Sequence, residues 1–425
     1  MNPNYVVRCD WDFDIKHFIL FCFDDGFPYL CAIKDTSNKT FPMNIANKTI
    51  RKIILGTDRF VKRKSYDKNP RPNSFYEKRF LPTEASLLRA GNFILGSSLS
   101  KTLKENTHEA MEIYLDEEQK KDKKLRRDIE KEIIKCYLLN HTLPVEFFQY
   151  HLYKKNLMER ECWLSDYERW TILHERFKQS IHDEINEKIS FYQLAKDFFK
   201  RDVCEVSANT SSEDFVDFTS RHPDIFVKPM EGFYGQQTYK LHVSDKDEAH
   251  QVWKKLADHG KWIVEELIVQ DDAMAAWNES SVNTVRLPSF ITADGAHKIL
   301  VPIIRTGAKD QIVDNTSGGG YYASIDVETG TIIDHALDKQ GQIVKVHPGS
   351  GMTFKGWQVP RWKELLDVCE RLHRSLPPYH RYIAFDFALS KTAGWVVIEA
   401  NWGQLFGQAT SHHGIRKEFM EYTKV

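Results

Sequence analysis

Three polar side chains near the C-terminal end of the sequence have the types and spacing of a metal site. Glu399 and Asn401 lie two residues apart in Val-Ile-Glu-Ala-Asn-Trp, so both face the same side if this stretch is a strand. Asp386, in Ala-Phe-Asp-Phe-Ala, can face them from the other strand of a hairpin. Carboxylate and amide oxygens are the ligands that Mg²⁺ prefers. A solvent-facing acid is the simpler interpretation of Asp386 alone, whereas the three together favour a Mg²⁺ site, because acids among apolar strand residues need a partner.

A lysine followed by a glycine-containing loop forms a second pattern. Lys228 ends the strand-like Ile-Phe-Val-Lys-Pro, and the loop after it contains Gly232 and Gly235. Such a loop can place backbone N–H groups on phosphate oxygens. Taken alone, the pattern is equally typical of an ordinary strand-turn-strand, and it is not a Walker loop because no Gly-Lys-Ser/Thr follows.

A third pattern is an apolar strand that ends in paired acids, Trp262 to Glu266, followed by Leu267 and Ile268. The backbone at the end of this strand, from Glu265 to Ile268, can hydrogen-bond an adenine, and Asp272 lies close enough along the chain to reach ribose hydroxyls. On their own, paired glutamates after a strand usually mark a solvated strand end.

The order of these patterns resembles the ATP-grasp superfamily. A lysine strand, a glycine loop, an acidic strand end, an arginine strand and the acid/acid/amide set follow one another, and Asn-Glu-Lys at 186–188 resembles the first lysine of the superfamily. The finer resemblance, over residues 150–415, is to the sugar-transfer-associated ATP-grasp proteins, relatives of α-L-glutamate ligases. The motifs that carry it are Ser-Val-Asn-Thr-Val-Arg at 281–286, Val-Asp-Asn-Thr-Ser-Gly-Gly-Gly at 313–320, His-Pro-Gly-Ser-Gly at 347–351 and Gln-Val-Pro-Arg-Trp at 358–362.

The resemblance implies a role for each matching residue. Lys188 and Lys228 contact ATP phosphates, Glu265, Glu266, Leu267 and Ile268 hold the adenine, and Asp272 binds the ribose. Asp386, Glu399 and Asn401 hold Mg²⁺ on the β- and γ-phosphates, while the catalytic Arg286 and Arg305 stabilise the charge on the transferring phosphoryl group and the tetrahedral intermediate. Asn283, Asp314, Asn315 and Gly319 are expected on the acceptor side, although a plain flexible turn explains the loop of the last three equally well.

By this resemblance the protein is expected to be an ADP-forming carboxylate–amine ligase that uses ATP and Mg²⁺ and forms an amide through an acyl phosphate. Its substrates would be a small carboxylate and an amine, with a sugar or an amino acid among the candidates, in surface-polysaccharide or peptide-like biosynthesis. A kinase that phosphorylates a hydroxyl and a catalytically inactive nucleotide- or glycan-binding module remain alternatives. For His347, His412 and His413, a surface or hydrogen-bonded histidine is favoured over a general base.

The elements that must position these residues change along the chain. A hairpin is predicted around Asp25-Gly26, and the segment 51–82 is basic and interrupted by prolines, so a solvated loop is favoured over a docking patch for an acidic partner. Helices dominate from about residue 105 to 199, with one helix predicted over 118–135, a helix cap at Ser165, and a helix over 186–199 that leads into a strand at 203–206. Short strands mixed with helices follow, including a hairpin that turns at 328–330. This mixture predicts an α+β fold. The expected domains are an N-terminal segment with a β-hairpin (1–100), a helical lead-in (101–185) and an ATP-grasp domain (186–425) divided into a nucleotide-clasp subdomain (186–270) and a metal- and substrate-binding subdomain (271–425).

Composition excludes several classes of protein. The chain has 425 residues, 59 Lys and Arg against 60 Asp and Glu, and a formal charge of −1, which argues against a dedicated nucleic-acid or anionic-membrane binder. Its seven cysteines are scattered and form no Cys-x-x-Cys pair, so they indicate neither a disulfide framework nor a zinc site. With no signal peptide and no apolar span at its start, the protein is expected in the cytoplasm. Its oligomeric state is open.

Overall fold

The computed structural model describes residues 20–24, 27–31, 103–177, 184–230, 237–314, 316–402 and 407–424, which fall into two compact units, Met1–Trp170 and Thr171–Val425. The division of the chain into domains at residues 100, 185 and 270 stays a prediction. The basic segment 51–82, singled out by its charge, lies outside the described residues.

The described part of the first unit contains a hairpin and a set of helices. Strands β1 (Leu20–Asp24) and β2 (Phe27–Cys31) pair antiparallel, which confirms the hairpin predicted around Asp25-Gly26. The helices are α1 (103–114), α2 (Glu117–Lys121), α3 (Lys123–Asn140), α4 (Pro144–Gln149), α5 (Leu157–Glu161) and α6 (Asp166–Arg176), the last of which continues into the second unit. Apolar side chains such as Ile133, Phe147 and Trp163 form their core.

A helix predicted over 118–135 is divided in two at Asp122. The Asp122 carboxylate accepts hydrogen bonds from the backbone N–H groups of Lys124 and Leu125, so this residue caps the N-terminus of α3. The predicted cap at Ser165 is confirmed, since its hydroxyl accepts from the Glu168 N–H at 3.2 Å. Local side-chain capping therefore sets where α3 and α6 begin.

The second unit opens with α7 (Lys188–Phe199) and a four-stranded antiparallel sheet. Its strands are β3 (Val203–Val206), β4 (Asp224–Pro229), β5 (Tyr239–His242) and β6 (Trp262–Glu266), in the order β3-β6-β4-β5. Helices α8 (Ser212–Arg221) and α9 (Lys246–Ala257) supply apolar side chains to its core. The inner strand β6 is therefore paired on both edges, and its residues are fixed in place.

An eight-stranded sheet forms the rest of the unit. Its strands run in the order β12-β11-β10-β9-β7-β13-β14, with β8 paired to β7. They are β7 (Thr284–Ile291), β8 (His297–Ile299), β9 (Ile303–Thr306), β10 (Tyr321–Ser324), β11 (Ala336–Leu337), β12 (Ile343–Val344), β13 (Tyr382–Ser390) and β14 (Gly394–Asn401). Helices α10 (Asp272–Ala275), α11 (Trp362–Ser375), α12 (Gln408–Ser411) and α13 (Arg416–Tyr422) accompany it. The predicted α+β fold is confirmed.

The two faces of the large sheet differ because side chains alternate along each strand. On β13, Phe385, Phe387 and Leu389 enter the main hydrophobic core, which α7 and α11 cover. Asp386 belongs to the opposite face. One irregularity interrupts the β13–β14 ladder: Asp386 pairs with Glu399 and Phe387 with Val397, so Ile398 is an extra residue that forms a β-bulge.

The turn predicted at 328–330 is confirmed and requires its glycine. Gly330 has a φ of +74°, and a Cβ added there would lie 2.3 Å from Cγ of Trp362. Both the left-handed backbone and the indole ring exclude a larger side chain at this position.

Candidate functional site

Three charged residues lie side by side on neighbouring strands of the large sheet, and we call them the charged row. Asp386 on β13 is the register partner of Arg286 on β7 and of Glu399 on β14. The guanidinium of Arg286 donates from Nε to Asp386 Oδ1 at 2.7 Å and from Nη2 to Oδ2 at 2.8 Å. This bidentate geometry makes the pair a strong one. The strand register thus assembles the charged row directly.

Arg305 extends the charged row towards the next strand. Its Nη1 donates to Asp386 Oδ2 and its Nη2 to Asp314 Oδ1, each at 3.1 Å. The second oxygen of Asp314 accepts from the hydroxyl of Thr284. Arg305 is therefore held between two buried carboxylates, which fix the direction of its planar guanidinium.

The carboxyl groups at this site have displaced pKa values. Burial acts to raise the pKa of Asp386, but Arg286 and Arg305 outweigh it, so this pKa lies below its ordinary value. Burial raises the pKa of Asp314 in spite of Arg305. The pKa of Glu399 is also raised, first by removal of water from around the carboxyl and then by the negative charge of Asp386. Asp386 is ionised, and a second negative charge beside it is unfavourable unless a cation joins them.

The oxygen donors of the charged row fit a divalent cation such as Mg²⁺. The Glu399 side chain as a whole is 40% exposed, although its carboxyl group is largely removed from water, and Asn401 Nδ2 donates to Glu399 Oε1 at 3.2 Å. Both Asp386 oxygens already accept hydrogen bonds from the arginines. The most accessible donor is therefore Glu399, with Asn401 beside it and Asp386 behind.

A second group of charges lies on the small sheet, and we call it the cation cluster: Lys188, Arg201 and Lys228 around Glu265. Arg201 Nη2 donates to Glu265 Oε2 at 2.7 Å and Lys228 Nζ to Oε1 at 2.8 Å. Burial acts to raise the pKa of Glu265, but these two cations lower it to about 2. The glutamate is thus a fixed buried anion that orients the cations.

Lys188 lies at the start of α7 and connects the cation cluster with the charged row. Its Nζ donates to the carbonyl oxygens of Pro229 and Met230 at 3.1 and 3.3 Å. Burial lowers the pKa of Lys188, while the charge of Glu399 acts in the opposite direction. Lys188, on α7, and Glu399, on β14, are therefore near enough for their charges to interact.

Arg201, which sequence reasoning missed, joins the two sheets. Besides Glu265, it donates from Nη1 to the Val397 carbonyl on β14 at 2.7 Å, and only 4% of its side chain is exposed. It lies in Lys-Arg-Asp between the predicted helix and strand. Only the position of this short charged stretch between two apolar elements could have drawn attention to Arg201.

The proposed adenine and ribose residues surround the end of β6. The backbone of Glu265 pairs with both neighbouring strands, and the N–H groups of Glu266 and Leu267 donate to the Asp202 and Asp224 carbonyls at 3.0 and 3.3 Å. Ile268 follows, half-buried. Asp272 is on the surface at the start of α10 and accepts from Lys391 Nζ at 2.8 Å.

The predicted acceptor residues are not equivalent. Asn283 is completely buried, and its amide donates to Gln270, Met274 and Asn278 and accepts from the Gly307 N–H, so it holds loops together rather than facing a cleft. Asp314 contacts Arg305, and Gly319 is exposed with a φ of +94°. Asn315 and the loop with Gly232 and Gly235 lie outside the described residues.

His347 is a hydrogen-bonded histidine, as predicted. Its Nε2 donates to the Gly307 carbonyl at 3.0 Å, and its Nδ1 accepts from the Gly349 and Ser350 N–H groups at 3.2 and 3.1 Å. The His-Pro-Gly-Ser-Gly motif therefore closes a loop.

Comparison with known proteins is consistent with this arrangement of two sheets and facing charges. Residues 177–422, more than half of the chain, match the family described as sugar-transfer associated ATP-grasp. The chain belongs to this family. The predicted resemblance is confirmed, and with it the ATP-grasp fold. Both sheets and the two groups of charges lie within the matched residues.

Several solved structures of ligases and synthetases are similar to part of the chain at low sequence identity. D-alanyl-alanine synthetase A from Vibrio cholerae is 16% identical over 56% of this chain and 63% of its own, with a TM-score of 0.34. The D-alanine-D-alanine ligase from Coxiella burnetii is 11% identical over 56% and 57%, with a TM-score of 0.33. N5-carboxyaminoimidazole synthetase from Staphylococcus aureus is 11% identical over 61% of this chain and 57% of its own, with a TM-score of 0.34. The chain thus spans less than two thirds of each. No curated protein matches its sequence.

Among the helices that the structure describes, not one combines the length and apolar character needed to cross a membrane.

Proposed function

We propose that this ATP-grasp protein is an ATP- and Mg²⁺-dependent carboxylate–amine ligase that releases ADP and phosphate and joins its substrates through an acyl phosphate. The observation that carries the proposal is the charged row, with Arg286, Asp386 and Glu399 in register on three strands, opposite the cation cluster. Phosphoryl transfer requires positioning and charge neutralisation more than covalent help from the protein.

In this proposal the cation cluster receives the nucleotide. Lys188 and Lys228 neutralise phosphate oxygens, and the segment from Glu265 to Ile268 holds the adenine. Because Glu265 pairs with both neighbouring strands and the Glu266 and Leu267 N–H groups already donate to carbonyls, the adenine is held by the other groups of this segment. The salt bridge of Lys228 to Glu265 positions its ammonium before the nucleotide arrives, so less rotamer entropy is lost on binding. Asp272 reaches the ribose, with Lys391 as its present partner.

Glu399, Asn401 and Asp386 would hold Mg²⁺, which when bound neutralises charge on the β- and γ-phosphate oxygens. The raised pKa of Glu399 beside Asp386 supports this assignment, because a cation relieves the repulsion between the two carboxylates. Arg286 and Arg305 are anchored on the same Asp386 and so lie next to the position of the transferring group.

The reaction itself needs two displacements. An oxygen of the substrate carboxylate attacks the γ-phosphorus, a new O–P bond forms, and the bond from that phosphorus to the β–γ bridging oxygen breaks as ADP leaves. The amine nitrogen then attacks the acyl carbon, phosphate leaves with the former carboxylate oxygen, and the nitrogen loses a proton. Arg286 and Arg305 stabilise the charge that develops on the oxygens in both steps.

The described cysteines of the second unit support direct attack by the substrate rather than by a protein thiol. Burial raises the pKa of Cys369 to about 12 and of Cys204 to about 11, so neither is a thiolate at neutral pH. The family description points to a sugar or sugar-linked amine as acceptor, near Asp314 and Gly319. We place the reaction in the cytoplasm, where ATP is available.

A hydroxamate assay tests the proposal. Wild-type protein with ATP, Mg²⁺, hydroxylamine and a panel of carboxylates, sugar acids included, should form a hydroxamate with equal amounts of ADP and phosphate. ADP with a stable phosphorylated product and no hydroxamate would instead indicate a kinase. No ADP formation with any carboxylate or hydroxyl acceptor would favour an inactive binding module.

The matched variants are Glu399→Gln and Glu328→Gln. The first removes a metal ligand at almost constant volume and should lower turnover by roughly 1,000-fold or more, about 4 kcal/mol in activation free energy, without loss of thermal stability. The second changes an exposed turn residue and should retain wild-type activity. Full activity in Glu399→Gln would contradict the metal assignment.

A further inference from the structure

Outside the proposed ATP site, one aspartate and two histidines converge on a single point. Oδ2 of Asp334 lies 2.9 Å from Nε2 of His412 and 3.2 Å from Nδ1 of His335. The three donor atoms all lie within 4.8 Å of one another. His412 is far from the other two along the chain, so the fold brings the group together.

An irregular backbone places Asp334 and His335. On the strand leading to β11, the Ile333 N–H donates to the Ser324 carbonyl, and Leu337 pairs with Tyr322. Three residues on one side, 334–336, therefore stand opposite a single residue, Ala323. A bulge of this kind redirects side chains out of the regular alternation, which allows two consecutive residues to meet the same group.

His412 comes from the opposite side, at the C-terminal end of α12. It has a left-handed φ of +61°, an uncommon conformation for a residue other than glycine. Helix α12 is held to β10, because the Ser324 hydroxyl donates to the Gly407 carbonyl at 2.6 Å. Each ligand candidate therefore comes from a segment that the sheet anchors.

The donor set suits a borderline metal ion better than Mg²⁺. Two imidazole nitrogens and one carboxylate oxygen are a common protein ligand set for Zn²⁺, with bonds of about 2.0–2.2 Å and a fourth position for water. Tetrahedral ligands at those lengths lie about 3.3 Å apart, so the separations of 2.9 and 3.2 Å need only a small expansion. His335 is buried, while Asp334 and His412 keep 33% and 40% of their side-chain exposure, which leaves an open side.

Two nearby lysines repel a cation at this position and therefore limit how tightly a metal ion can bind. Lys355 Nζ lies 3.4 Å from Asp334 Oδ1, the oxygen that faces away from the histidines, and its side chain is 70% exposed. Lys345 acts on His335 at longer range. Because Lys355 contacts the other oxygen and can turn into solvent, it leaves Oδ2 available.

We propose that Asp334, His335 and His412 form a Zn²⁺ site with water as the fourth ligand. Zinc there would join the bulge before β11 to the C-terminal end of α12. This proposal does not depend on the proposed ligase activity, because its readouts are metal binding and thermal stability.

The test uses the full chain with its purification tag removed, stripped with a chelator and kept in excess Mg²⁺. Titration with Zn²⁺ should show one site per chain and raise Tm, because a ligand that binds only the folded state stabilises it. Co²⁺ in place of zinc should give tetrahedral d–d absorption without a thiolate charge-transfer band. A thiolate band would assign the metal to the cysteines and overturn the proposal.

Two variants decide the ligands. His412→Ala removes an exposed side chain and should weaken Zn²⁺ binding by roughly 100-fold or more, since even outer-sphere changes cost about 10–100-fold; Asp334→Asn should do the same. His413→Ala, at the exposed neighbour, should bind as wild type does. Equal binding by His412→Ala and wild type, or no binding by wild type, would show that the three residues form a hydrogen-bonded cluster only.

Discussion

The two sheets of the second unit each contain a buried carboxylate between two cations. In the small sheet Glu265 lies between Arg201 and Lys228, and in the large sheet Asp386 lies between Arg286 and Arg305. Both carboxyl groups have lowered pKa values, because the paired cations outweigh the effect of burial. The same arrangement, a buried carboxylate between two cations, thus occurs in both sheets.

The excess charge around the two buried carboxylates differs in sign. In the cation cluster three positive groups surround one acid, Glu265. Around the charged row there are instead three acids, Asp386, Glu399 and Asp314, and two arginines. One wall therefore has an excess suited to phosphate and the other an excess suited to Mg²⁺. The comparison indicates that a salt-bridged carboxylate fixes the geometry of each site, while the sign of the excess charge around it determines what binds.

The largest effect is expected for Arg286→Met. Losing the bidentate partner leaves Asp386 buried with Arg305 alone, which should cost about 3–5 kcal/mol of stability and lower kcat by about 100- to 1,000-fold. Urea unfolding and the hydroxamate assay measure the two effects. Arg286→Met combined with Asp386→Leu should regain much of the stability but no activity. A single variant as stable as wild type would contradict the ionised pair.

The next effect concerns Glu265 and pH. The pKa of Glu265 in the folded protein, about 2, lies below the ordinary value of 4.5. Its contribution to the free energy of unfolding is therefore complete above pH 4.5 and is lost as the pH falls towards 2. The difference corresponds to about 3 kcal/mol. Glu265→Gln should lower stability at neutral pH and flatten the acid-side slope in urea unfolding. Glu266→Gln, at the half-exposed neighbour, should keep the wild-type slope; equal slopes in all three proteins would contradict the prediction.

A smaller effect is expected for Gly407→Ala, next to the loop after Asn401. A Cβ there would lie 2.3 Å from Cγ1 and 2.6 Å from the carbonyl oxygen of Val301, itself in a left-handed conformation with a φ of +47°. Overpacking of this kind costs about 1–3 kcal/mol. Thermal unfolding should show this loss. Adding Val301→Gly removes the contact with Cγ1 but not the one with the carbonyl oxygen, so it should restore part of the lost stability, which a general intolerance of alanine would not allow.

The smallest effect is expected at Asp272. Its salt bridge with Lys391 is exposed on both sides, so Asp272→Asn should change stability by less than about 0.5 kcal/mol. If Asp272 binds the ribose, KM for ATP should rise several-fold at unchanged kcat. Lys391→Met removes the same salt bridge and should leave KM unchanged. An increase in both variants would assign the effect to the salt bridge instead of the ribose contact.

The sequence predicted the candidate site best where the alternation of side chains along a strand determines which residues lie together. The two-residue spacing of Glu399 and Asn401, and a hairpin partner for Asp386, led directly to the observed register. Asn283 shows the opposite case: it belongs to a family motif, yet its amide is used entirely by loops within the protein. Motif membership does not distinguish a residue that faces a ligand from one that supports the residues that do.

Long-range partners were beyond sequence reasoning. Arg201 and Glu265 lie 64 residues apart, and Asp334 and His412 lie 78 apart. Such pairs depend on how sheets pack and on local bulges, which periodicity does not encode. The break of the predicted helix at Asp122 has a local cause, a capping aspartate, that the sequence did contain.

The bulge at Ile398 makes β14 unequally tolerant of changes in length. Loss of Ile398 would leave Glu399 directly after Val397 and still opposite Asp386, because the extra residue is the one without a partner. Loss of Ala400 would instead turn Asn401 towards the core face. We therefore expect a one-residue deletion to be tolerated at the bulge but not at Ala400.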